Sequence, residues 1–181
     1  EPLEELKRWN GARWAGNGTI TWCLEHGIDA AFYTIDAQPI EWWVYDLSRI
    51  ERAVLAPDCD PSLFGRLNGS DISLTALPDG GPTSAAAADL LALEAGYWPV
   101  TWFGCESCFA ETTHAYESFP IDEWMIVRVG GRDFRTKPEF AAQAEIISEV
   151  IRTFPAQYSE RGGGLLRAMV EHGPEYDIVE M

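Results

Sequence analysis

Trp124–Val129 and Arg132–Thr136 flank Gly130-Gly131, and two glycines between period-two runs specify a hairpin whose two-residue loop needs positive φ at both positions. Thr136 and Glu139 then make a capping box with Pro138 in the first turn. Phe140, Ala144, Ile147, Ile151 and Phe154 follow on one stripe of a helix that has to lie on the sheet. A hairpin feeding a core-facing helix restricts the chain to mixed architectures.

The rest of the sequence fills in an α+β reading. Leu3 and Leu6 suggest a short amphipathic opening helix. Thr19–Leu24, Ile28–Ile35 and Ile40–Tyr45 each alternate, and their connections (Glu25-His26-Gly27, then Asp36 to Pro39) are too short for a crossover, so they predict an antiparallel three-strand meander. Ser48 with Glu51 reads as a capping box opening a helix through Ile50, Val54 and Leu55 that Pro57 stops. Asp60-Pro61 opens a helical turn, and Asp71–Leu77 is a weak edge strand. Thr83 or Ser84 caps a helix through Leu90, Leu91 and Leu93 that Gly96 ends. Tyr97–Phe103 is a strand, pushed towards an edge by Pro99, and Leu165 to His172 is a last helix after three glycines. No internal repeat is visible. The expectation is a single globular domain, 1–181, with a mostly antiparallel sheet (the N-terminal meander plus the C-terminal hairpin) and helices packed on at least one face. Pro78-Asp79-Gly80-Gly81-Pro82 is short enough to be a loop inside it.

Charge bounds the partners. Of 181 residues 29 are acidic and 13 basic, a formal net charge of −16. Between Arg66 and Arg128 no lysine or arginine occurs, while Asp71, Asp79, Asp89, Glu94, Glu106, Glu111, Glu117, Asp122 and Glu123 all fall there. Such a field repels phosphate backbones and anionic lipid and attracts cationic surfaces, so neither direct nucleic-acid binding nor membrane insertion is expected. No run of 18 apolar residues exists, and the start at Glu1 shows no charged-then-apolar leader, so a soluble chain without a signal peptide is expected, its compartment unassigned. With 46% apolar residues and 22 aromatic ones the chain has the material for a core.

Cys105-x2-Cys108 and Cys23-x2-His26 have the spacing of two zinc clips and would together supply four ligands for a structural zinc. Gly27 gives the first clip room to turn, whereas Phe109 follows the second, and plain buried thiols or a disulfide explain the same residues more simply. As a redox pair the cysteines carry a handicap, because Glu106 between them disfavours a thiolate. No Gly-x-Ser-x-Gly, phosphate-binding loop, His-Glu-x-x-His or dinucleotide fingerprint occurs, His26, His114 and His172 are scattered, and no catalytic residue is assigned. Asn17-Gly18-Thr19 and Asn68-Gly69-Ser70 fit a glycosylation pattern and, more plainly, a turn.

Eight tryptophans complete the pattern, with Trp42-Trp43 and Trp98/Trp102 on expected strands, where sequence neighbours face opposite sides. The leading expectation is a non-enzymatic acidic interaction protein that docks onto a basic protein partner: an inhibitor or immunity-type protein, a mimic of nucleic-acid charge, or a subunit of an assembly. Glu106, Glu111, Glu117, Asp122 and Glu123 would meet the partner's cations and Trp43, Trp98 and Trp102 would anchor it. Two alternatives are a zinc- or thiol-dependent enzyme centred on Cys105 and Cys108, and a carbohydrate or small-ligand binder using exposed tryptophan.

Overall fold

The structure is a computed structural model that describes residues 2–37, 47–75, 83–109 and 124–180. Its contacts divide the chain into two compact units, Trp9–Gly80 and Glu1–Arg8 with Gly81–Met181. The break falls in the middle of the Pro78–Pro82 run. Helix α1 (Pro2–Arg8) belongs to the second unit, where Glu5 Oε1 accepts from Arg161 Nε at 2.9 Å.

The unit Trp9–Gly80 holds β1 (Trp14–Gly16), α2 (Thr19–Glu25), β2 (Ala31–Thr34), a 3₁₀ turn (Leu47–Arg49), β3 (Arg52–Leu55), α3 (Pro61–Arg66) and β4 (Asp71–Leu74). Its four strands run parallel in the order β1-β2-β3-β4. This overturns the expected antiparallel meander. Thr19–Leu24 is helical, with Ile20 and Cys23 buried three positions apart on one face, while Trp22 and Leu24 are only half-buried. Gly27 at φ +66 is a helix stop, not a hairpin turn: its N–H donates to Leu24 O and that of Ile28 to Cys23 O, the paired bonds of a left-handed cap. A helix between β1 and β2 supplies the crossover that parallel strands need. Ile40–Tyr45, the third expected strand, lies outside the described residues.

The expected helix from Ser48 is also replaced. Only the 3₁₀ turn forms, after which Ala53 and Leu55 are buried alternately on β3. Register partners Ala15, Phe32, Ala53 and Ile72 stack in one column, each strand recurring roughly 20 residues after the last, so the unit is built of successive coils. The expected turn at Asp60-Pro61 is present as α3, with Asp60 Oδ1 accepting from Ser62 N at 2.7 Å.

The other unit adds α4 (Ser84–Glu94), β5 (Val100–Phe103), β6 (Met125–Val129), β7 (Arg132–Thr136), α5 (Pro138–Thr153), β8 (Tyr158–Arg161), α6 (Gly164–His172) and β9 (Asp177–Glu180). The expected hairpin is β6–β7, with Gly130 at φ +57 and Gly131 at φ +76, and β9 pairs antiparallel on the free side of β6. β5 and β8 form a separate parallel pair. Val127, Val129, Phe134, Ala141, Ala144, Ile147, Leu165, Leu166 and Met169 make the core between sheet and helices. Among the described residues no helix is long and apolar enough to cross a membrane.

Candidate functional site

The β5–β8 pair carries chemistry at both ends. At its C-terminal end β5 runs into Gly104-Cys105-Glu106-Ser107-Cys108, and β8 runs into Gly162-Gly163 and α6. Nearly every residue of the 104–108 loop is tied down. Gly104 N donates to Arg161 O at 3.3 Å, and Glu106 O accepts from Leu165 N at 2.9 Å and Leu166 N at 3.2 Å. Ser107 O accepts from Thr136 Oγ1 at 2.7 Å, and Phe109 N donates to Arg135 O at 2.8 Å. The buried Gln143 of α5 donates from Nε2 to Ser107 Oγ at 2.8 Å and to Cys105 Sγ at 3.2 Å, and its Oε1 accepts from the Thr83 hydroxyl that also caps α4. This lattice holds Ser107 at φ +56, a conformation a non-glycine residue keeps only when its surroundings impose it.

These anchors fix what the loop can do. The first amides of α6 are taken by the Glu106 carbonyl, and the Leu165 amide also serves the Cys108 sulfur, so the helix start is satisfied from within the chain. Burial pushes the Cys105 thiol up to about 12, and the Glu160 carboxylate adds to the shift against a lowering bond from Ser107. Burial also raises Cys108, with the Leu165 amide and Arg132 opposing and Glu106 adding. Both therefore stay protonated at neutral pH, the wrong state for a nucleophile. Glu160, buried, is raised by desolvation against the pull of Arg167, whose Nη1 lies 2.6 Å from Oε1 as an ion pair without hydrogen-bond alignment. Glu106 is exposed, its side chain running alongside Gly162, Gly163 and Gly164.

At the N-terminal end of the pair α4 stops in a left-handed cap: Gly96 at φ +78 donates to Leu93 O at 3.0 Å and Tyr97 N to Ala92 O at 2.8 Å. The cap sends Tyr97 and Trp98 outward just before β5. Tyr158, the first residue of β8, is the hub for Trp98, Phe154 and Trp102. Trp98 meets it edge-on at 5.9 Å between ring centroids, Phe154 lies at 6.4 Å, and the buried Trp102 stacks beneath it at 5.8 Å. Trp98 is 55% exposed and Phe154 50%, with Tyr97, Leu90 and Leu93 also open. Asp89 is buried, and desolvation raises its carboxyl; burial raises the Tyr158 hydroxyl, with the Asp89 charge adding to it.

The expected site residues are thus dispersed. Glu106 and Trp98 are exposed at opposite ends of one strand pair, and Trp102 is 8% exposed in the core. Trp43, Glu111, Glu117, Asp122 and Glu123 lie outside the described residues. Of the zinc candidates, Cys23 is buried on α2 with its thiol raised by burial to about 11, and His26 Nδ1 is engaged with Trp22 O at 2.8 Å. They belong to a different unit from Cys105 and Cys108. Among the described residues no three His, Cys, Asp or Glu side chains group to hold a metal ion. Phe154, expected in the buried stripe of α5, was not foreseen as surface. Comparison with protein-family models, curated proteins and solved structures finds no match to this chain.

Proposed function

We propose that this is a non-enzymatic interaction protein whose acidic surface docks onto a basic protein, as an inhibitor, a mimic of nucleic-acid charge, or a subunit does. One observation carries the reading: Asp71, Glu94 and Glu106 are exposed within a stretch that has no cation of its own. Arg8, Arg161, Arg52, Arg128 and Arg167 pair with Glu4, Glu5, Asp29, Asp133, Glu160 and Glu171, carboxylates outside that stretch. Both units share the sign, with ten acidic against four basic residues in Trp9–Gly80 and nineteen against nine in the remainder. Uncompensated carboxylates speed encounter with a cationic surface and select against anionic ones.

The protonated state of Cys105 and Cys108 weighs against a thiol nucleophile at that loop. The test is the association rate with the protein retained from native extract on immobilised chain. Raising salt from about 30 mM to about 300 mM should slow association about tenfold or more, and charge reversal at Glu106, Glu111 and Glu117 should do likewise. An on-rate indifferent to salt refutes the proposal.

A further inference from the structure

The structure assigns the apolar anchor of that docking to Tyr97, Trp98, Phe154 and Leu93, at the end of the β5–β8 pair away from Glu106 and next to Glu94, and its occupant to an arginine- or lysine-bearing segment of the basic protein. This rests on the acidic docking reading and adds the place and chemistry of contact. Two half-exposed aromatic rings, Trp98 and Phe154, each pack against Tyr158. Open aromatic faces beside an exposed leucine are what a long cationic side chain covers best, its methylenes on the apolar atoms and its charge against the ring.

Charge selects the occupant. Two helices end at this patch, α4 at Glu94 and α5 at Thr153, and helix C-termini carry partial negative charge. α4 has no basic residue in its last turn, and exposed Glu94 adds a full charge there. Arg152, the one basic residue in the last turn of α5, is turned away, its Nη1 donating to Val170 O on α6 at 3.1 Å. A second copy of the chain would bring its own −16 against this face, and phosphate-bearing partners would be repelled likewise. Arginine fits better than lysine, because its planar, weakly hydrated head stacks on indole.

The test uses the whole chain and fluorescent octapeptides of arginine, lysine and glutamate, titrated by anisotropy. Arginine peptide should bind best, glutamate peptide not at all, and Trp98→Ala and Phe154→Ala should each weaken the arginine peptide about fivefold, with Trp98→Tyr restoring most of the loss. Melting curves show whether each variant is folded, and Phe154→Ala with Trp98→Tyr serves if Trp98→Ala is not. If the arginine peptide binds in a salt-sensitive way but is indifferent to Trp98 and Phe154 while Glu106→Gln weakens it, the patch is wrong and the acidic reading survives. If wild type binds no cationic peptide, or binds glutamate peptide equally, both fail.

Discussion

Replacing Gly164 by alanine should unlock the 104–108 loop at a cost of about 2–5 kcal/mol. An added Cβ would stand 2.7 Å from Cys108 Sγ, 2.7 Å from Glu106 O and 2.8 Å from Glu106 Cβ, at a backbone φ of +70°. The left-handed conformation alone costs about 1–2 kcal/mol with a side chain present. Overpacking adds about 1–3 kcal/mol, because the nearest neighbours cannot swing aside: the Glu106 carbonyl is held by two amides of α6. With a urea dependence of about 2 kcal/mol per molar for a domain this size, the unfolding midpoint should fall by about 1–2.5 M. Gly162→Ala is the control, since its Cβ meets nothing nearer than Glu160 Oε2 at 3.5 Å and its φ is not positive; it should shift the midpoint by less than about 0.3 M. Thiol titration gives the local readout, with Cys108 reacting faster in Gly164→Ala and unchanged in Gly162→Ala. Equal midpoints for the two variants would refute the packing around Gly164.

Three further outcomes follow from the same geometry. With its pKa at about 12, Cys105 should be thiolate to only about one part in ten thousand at pH 8, and a disulfide reagent should modify it about a thousandfold more slowly than an ordinary exposed thiol. Gln143→Ala should cost about 1–3 kcal/mol by denaturation, because Ser107, Cys105 and Thr83 all lose their shared partner in a buried place. Asp89 is raised by burial, so the folded state holds its proton more tightly than the unfolded chain; that contribution is full below the ordinary carboxyl range and lost as pH rises through the raised value. Asp89→Asn keeps an oxygen for the Leu90 amide and has no charge to bury, so its midpoint should exceed wild type at pH 7 and not at pH 3; a gain equal at both would exclude the burial explanation.

The elements legible in the sequence are those where two local signals agree. The β6–β7 hairpin joins alternating runs through two glycines that both adopt positive φ, and α5 follows Pro138 with a stripe that is buried at Ala144, Ile147 and Ile151. The N-terminal half misleads because its signals are short. Ile20, Trp22, Cys23 and Leu24 satisfy a strand period over six residues and a helix face over the same six, and Gly27 serves a hairpin turn or a helix stop equally well. Once α2 is a helix, the connection is long enough for the strands on either side to run parallel, as they do. The recurrence of strands stays hidden for a related reason: the stacked positions hold Ala15, Phe32, Ala53 and Ile72, which share a place on the sheet and an apolar character but no common size or shape.

The candidate site divides along the same physical line. Glu106 was legible from charge alone, because a run without cations needs no tertiary information. What holds it was not, since Gln143 lies 36 residues from Ser107 and Thr136 lies 29, and nothing local joins them. Phe154 shows how a boundary error becomes a functional one. Continued helix would have kept it in the buried stripe, but α5 ends at Thr153 and Phe154 takes φ −129° and ψ 59°, which carries its ring out of the core and over Tyr158. Trp98 and Trp102 part for a similar reason, one presented outward by the cap at Gly96 and the other drawn inward by β5. An anchor of Trp98 with Phe154 therefore depends on where two helices stop, so adding one helical turn to α5 after Thr153 should abolish arginine-peptide binding while leaving the exposed Glu106 in place.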